Sequence, residues 1–159
     1  MKRLILILFA LQLAFAAMLE AKDYALIEQL PQRLARAKTE SQKGWDSGIT
    51  STMKEATYRY NDALTKMIKD LVGAYYPKDF LTEEDINGYL KSLYTIRRFR
   101  QNAANPTGES QGTMAGLQAP AEVSEDLEQD IADMVQVLVK DGPKFDYKGW
   151  KKKWLQAQK

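Results

Sequence analysis

After residue 22 apolar residues recur at steps of three and four, with no strand-like alternation of any length, so the pattern predicts helices. The first spans Asp23 to about Lys43, with Leu26, Ile27, Leu30, Leu34 and Ala37 on one side. Pro31 is expected to kink or restart it, since proline removes a donor and crowds the preceding turn. Gly44 and Gly48 frame a break around Trp45. A second helix is announced by Thr52 and Glu55, the spacing of a capping box. Met53, Ala56, Tyr60, Leu64, Met67, Leu71 and Ala74 form its seam, and Tyr75-Tyr76-Pro77 ends it. Thr82 with Asp85 opens a third helix, and Glu83 and Glu84 suit its positive end. Its apolar side is Ile86, Tyr89, Leu90, Leu93, Ile96 and Phe99, and it stops by Asn105-Pro106. Residues 105–122 read as a long loop. Ser124, Glu125 and Asp126 open a fourth helix with Leu127, Ile131, Met134, Val135 and Leu138 on its core face, closed by Gly142-Pro143. The expected fold is an all-α bundle of about four helices over residues 22–143, followed by a basic, aromatic tail at 144–159.

The first residues follow another pattern. Met1-Lys2-Arg3 is a positive start, and Leu4 to Ala17 is an apolar run interrupted by Gln12. Ala14-Phe15-Ala16 and Leu19-Glu20-Ala21 offer small-residue cleavage sites after Ala16 or Ala21. This predicts a secretory signal peptide over residues 1–21, with a retained anchor as the competing reading. The run is shorter than the roughly 20 residues of a comfortable membrane span. The expected destination is the periplasm or the outside of the cell.

Composition narrows the chemistry. The chain has 159 residues, 23 Lys+Arg against 21 Asp+Glu, no cysteine and no histidine. Without cysteine there is no disulfide, thiolate nucleophile or cysteine-held metal. Without histidine the usual triads and the commonest transition-metal ligand are excluded. A net charge of +2 argues against a dedicated nucleic-acid binder. Catalysis would have to use carboxylates, Lys, Ser or Tyr. The acids Glu83-Glu84-Asp85 and Glu125-Asp126 fall at expected helix starts, where capping explains them without a catalytic site. The expectation is therefore no enzyme, no cofactor and no metal.

Three features invite a binding role. Arg97, Arg98 and Arg100 cluster on the third helix; they are either a clamp for a partner's carboxylates or a solvated face with one arginine paired to an acid on a neighbouring helix, which is the commoner case. The loop from Asn105 to Ala121 is either an inhibitory plug or a plain connector. In the tail, Trp150 and Trp154 lie one helical turn apart with Lys151, Lys152 and Lys153 between them. They suit an anionic membrane surface or docking on the bundle, and the cost of exposing two indoles favours docking.

Two stretches resemble the LprI-like lysozyme-inhibitor domain. Residues 61–68, Asn-Asp-Ala-Leu-Thr-Lys-Met-Ile, are similar to that family's Asp-x-x-Leu-Asn-x-x-Tyr helix, with Leu64 the direct match. Residues 92–101, Ser-Leu-Tyr-Thr-Ile-Arg-Arg-Phe-Arg-Gln, resemble its Ala-Gln-x-x-Trp-x-x-Tyr-Arg-Asp helix, and Gly112-Thr113-Met114 resembles the turn that follows. The likeness covers about residues 45–138. Both family cysteines are missing, with Ala56 and Ala104 near their places; Ile96 stands for the usual Trp and Gln101 for the usual Asp. The resemblance implies a small secreted or periplasmic helical protein that occludes the cleft of a cell-wall hydrolase without covalent chemistry. Of the arginines only Arg100 matches the family motif, where it would brace the loop that follows; together with the clamp reading, the candidate contact residues are Arg97, Arg100, Gly112, Thr113 and Met114. The alternative is an envelope interaction module: an immunity protein against a toxin, or a peripheral membrane factor using the Lys/Trp tail.

Overall fold

The computed structural model describes residues 24–78, 80–104, 115–140 and 145–159. Among them are five helices and no strand: α1 Ala25–Asp46, α2 Thr50–Tyr75, α3 Glu83–Ala104, α4 Ala115–Lys140 and α5 Tyr147–Ala157. The expected signal peptide, the Gly112-Thr113-Met114 turn and the Gly142-Pro143 stop lie outside the described residues.

The core is the seam that the periodicity predicts. Ile27, Leu30 and Leu34 of α1, Leu64, Met67 and Leu71 of α2, Ile86 and Leu93 of α3, and Leu127, Ile131 and Val135 of α4 are all buried. Each such side chain contributes roughly 1.5–3 kcal/mol by leaving water, which a chain without a bridge depends on. α2 is central, packing on α1 and α4; α3 rests mainly on α4, and α5 mainly on α1. The cross-links Ser41–Ala56 and Arg33–Asp70 show α1 and α2 antiparallel. Asn61–Tyr94 and Lys69–Glu83 show the same for α2 and α3, and Tyr89–Asp130 and Arg97–Asp126 for α3 and α4. The end of α3 therefore lies at the opposite end of the bundle from the start of α1.

Several boundaries differ from expectation, each for a local reason. Pro31 neither ends nor restarts α1, which runs through it. The proline removes the donor that would serve the Ile27 carbonyl one turn back. The Trp150 indole supplies it instead, Nε1 donating to the Ile27 oxygen at 2.7 Å. Gly44 does not break α1 either; it is where α2 comes closest, and a Cβ there would run into Ala56. The break falls at Ser47–Ile49, where Gly48 takes a positive φ of 65°. Because α2 begins at Thr50, Thr52 lies inside its first turn: no side chain caps that helix, and Glu55 pairs with Arg59 at 2.5 Å instead. The capping box at α3 does form. The Asp85 amide donates to Thr82 Oγ1 at 3.1 Å, and the Thr82 amide donates back to Asp85 Oδ2 at 2.9 Å.

The largest revision concerns α4. The loop expected over 105–122 is helical from Ala115, and Ser124 is an interior residue of α4 rather than its cap. Pro120 is tolerated because it sits near the helix start, with Leu117 and Ala119 buried around it.

Candidate functional site

The interface of α2, α3 and α4 carries an unusual share of buried polar groups. Asn61 is 0% exposed. Its Nδ2 donates to the Tyr94 hydroxyl at 2.7 Å and to the Pro120 carbonyl at 3.0 Å, and its Oδ1 accepts from Ser124 Oγ at 2.5 Å. One layer away the Tyr60 hydroxyl donates to Glu128 Oε1 at 2.6 Å, with Lys38 Nζ 3.9 Å from the same carboxylate. Burial and the neighbouring Glu128 push the Tyr60 phenol far above its ordinary value. The Tyr89 hydroxyl donates to Asp130 Oδ2 at 2.6 Å. Burial raises Tyr94 to about 12, although the hydrogen bond from Asn61 opposes the rise. Every one of these groups has a partner, so the layer specifies how the helices seat rather than offering a reactive group. Sequence reasoning missed Asn61, Ser124, Glu128 and Asp130. The first three do carry a signal, because they are polar residues at positions where the apolar stripe passes.

Arg97 belongs to the same interface. Its Nε donates to Asp126 Oδ2 at 2.8 Å, its Nη2 pairs with the other oxygen of that carboxylate, and its Nη1 reaches Glu122 at 3.1 Å. The hydrogen bond it donates to Asp126 is the main reason its pKa rises further. This is a two-pronged fork turned inward: Arg97 is the arginine paired to acids on a neighbouring helix, and its guanidinium is not presented as a clamp for a partner. Arg98 and Arg100 point elsewhere: both are exposed, and between them Phe99 is 73% exposed instead of joining the core side of α3. The α3 tip is therefore an aromatic ring between two guanidinium-bearing side chains, five residues before the segment 105–114.

Two other surfaces stand out. A groove of about 640 Å³ between α1 and α2 is lined by Arg33, Arg36, Lys43, Arg59 and Lys66, with small residues such as Ala37 and Ala63 at its floor. Its cations are largely neutralised by their own acids. Arg33 lies 2.6 Å from Asp70, Lys66 3.1 Å from the same residue, and Lys43 2.8 Å from Glu40. The third surface is α5. Trp150 and Trp154 are buried in the core, stacked with ring centroids 5.3 Å apart, so the indoles are docked on the bundle, the favoured of the two alternatives, and not offered to a membrane surface. Lys151, Lys152 and Lys153 remain exposed.

Three of the five carboxylates singled out from the sequence have structural occupations, and the other two, Glu84 and Glu125, are exposed. Glu83 pairs with Lys69 at 2.7 Å, Asp85 caps α3, and Asp126 holds Arg97. Among the described residues no group of three metal-ligating side chains gathers, and no helix is long and apolar enough to cross a membrane. No protein-family model, curated protein or solved structure matches the chain.

Proposed function

We propose that the chain is a non-catalytic, exported binding protein of the LprI-like inhibitor kind, and that the tip of α3 with the adjoining segment forms its contact surface. The supporting observation is Phe99, 73% exposed and flanked by exposed Arg98 and Arg100 on a helix whose azimuth Arg97 holds against α4. Aromatic and arginine side chains are those most often found at the energetic centre of protein interfaces. Guanidinium forks suit carboxylates, and lysozyme-type glycosidases keep a pair of them in the cleft. In this reading Arg97 positions the helix, Arg98, Phe99 and Arg100 touch the partner, and Gly112, Thr113 and Met114 lie in the segment that would enter the cleft.

The test uses residues 22–159, a muramidase of the lysozyme type and a cell-wall lysis assay. The expected outcome is slowed lysis and co-elution with the enzyme. Phe99→Ala or Arg100→Ala should weaken inhibition by roughly ten-fold or more, as loss of an interface anchor does. A chain that neither slows lysis nor co-elutes ends the inhibitor reading. An Arg100→Ala variant that inhibits fully removes Arg100 from the contact.

A further inference from the structure

The outward face of α5 has a pattern that the inhibitor reading does not use. Lys148, Lys151, Lys152 and Leu155 follow steps of three, one and three, which places them in one stripe along the helix, and Lys159 follows just past its end. They line a shallow depression of about 490 Å³ with Tyr147 and Gln156. Leu155 is 50% exposed at its middle, and all four lysines are exposed around it. Charge is concentrated here. Residues 145–159 hold five lysines and one aspartate, +4 in all, so the other 144 residues of this +2 chain carry −2.

Position supplies the second argument. The Tyr24 and Phe145 rings lie 5.1 Å apart, and Trp150 binds the Ile27 carbonyl. These two contacts clamp α5 to the first turn of α1. The first turn of α1 therefore lies beside the start of the lysine-bearing helix.

We propose that the lysine face of α5 seats the bundle on an anionic phospholipid surface. Lysine stems lie along the apolar boundary while the ammonium groups reach the headgroup phosphates, and the half-exposed leucine enters between them. The buried tryptophans take no part beyond holding α5 rigid. Attraction to a negatively charged leaflet acts through each lysine and fades with salt. A nucleic acid or an acidic protein would also answer to the charge. Neither accounts for a leucine at the centre of the stripe. The proposal is independent of the α3 tip, which faces the other end of the bundle, so either can fail alone.

The experiment is sedimentation of the full 159-residue chain with phosphatidylcholine vesicles and with vesicles containing phosphatidylglycerol. Both accept an apolar segment equally, so the difference between them isolates the lysines. Tighter, salt-sensitive binding to the anionic vesicles is expected. Replacing Lys148, Lys151, Lys152 and Lys159 together by Gln should weaken it by about five-fold per lysine, on the order of hundreds-fold in all. A control replacing the exposed Lys54, Lys78, Lys91 and Lys140 by Gln should keep most of the binding. Unchanged helicity and melting temperature in both variants confine the effect to the surface. Equal binding to the two vesicle types overturns the proposal. So does a control variant that loses as much as the α5 variant, or tighter binding at equal salt to a single-stranded oligonucleotide or poly-glutamate than to vesicles.

Discussion

Asp130 is the acid whose setting leaves the clearest mark on solution behaviour. Burial lifts its carboxyl to about 6; Asp126 and Asp133 add to the rise, while the Tyr89 hydroxyl opposes it. Its folded value thus exceeds the unfolded one near 3.9. The stabilising effect of protonation is complete below about pH 4 and lost as pH rises through 6. Asp70 has the opposite sign. Burial would raise it, but hydrogen bonds from Arg33 and Lys66 outweigh that and hold it low, so its contribution disappears only as the solution becomes more acidic than the unfolded range. Asp130→Asn keeps an acceptor for Tyr89 and removes the ionisation. We expect it to stabilise the protein at pH 7 by about 2 kcal/mol and to flatten the stability curve between pH 4 and 6; parallel curves for the two proteins would contradict this. Asn61→Ala should cost about 2–4 kcal/mol in a denaturant melt, because Tyr94, Ser124 and the Pro120 carbonyl each lose a partner. At this scale the sequence was legible only halfway. Asn61 sits beside Tyr60 on an apolar stripe, which marks it as buried, but its partners lie 33 to 63 residues away and no spacing names them.

Among the helices, what could be read locally was read well. The Thr82–Asp85 box is a three-residue relation and forms as spaced. The Thr52–Glu55 pair has the same spacing and fails, because α2 begins earlier and Arg59 takes the glutamate. Pro31 misled because what decides whether a helix passes through a proline is another element supplying the missing bond and packing. The two tryptophans of α5 separate these effects. Trp150 Nε1 serves the Ile27 carbonyl, whereas Trp154 Nε1 is buried with no partner among the described residues. Trp150→Phe should therefore cost about 2–3 kcal/mol more than Trp154→Phe, since only the first leaves a buried carbonyl unmet. Thermal melts of the two variants compare them directly. Gly44→Leu should destabilise by several kcal/mol, about 3 or more, by forcing α1 away from Ala56.

The whole molecule separates its tasks along its axis. The ring and guanidinium groups of the α3 tip stand at one end, and the lysine stripe lies beside the start of α1 at the other. A bundle seated through α5 would hold Phe99 away from the surface it sits on. The final helix is also structural, so it is no detachable tail. Chain 1–143 gives up the burial of Trp150 and Trp154, a loss of about 4 kcal/mol or more against a typical total of roughly 5–15. Such a truncation should show weak amide protection throughout α1, measured by hydrogen exchange, rather than a clean loss of one surface.

The bond from Trp150 to Ile27 joins positions 123 residues apart. Polypeptides are made from the N-terminus at roughly 5–20 residues per second. The first helix to emerge thus waits on the order of ten seconds for the indole that supplies its missing hydrogen bond. Of the two elements, the one synthesised earlier is completed by the later one, and the nascent bundle stays without its clasp until α5 has emerged.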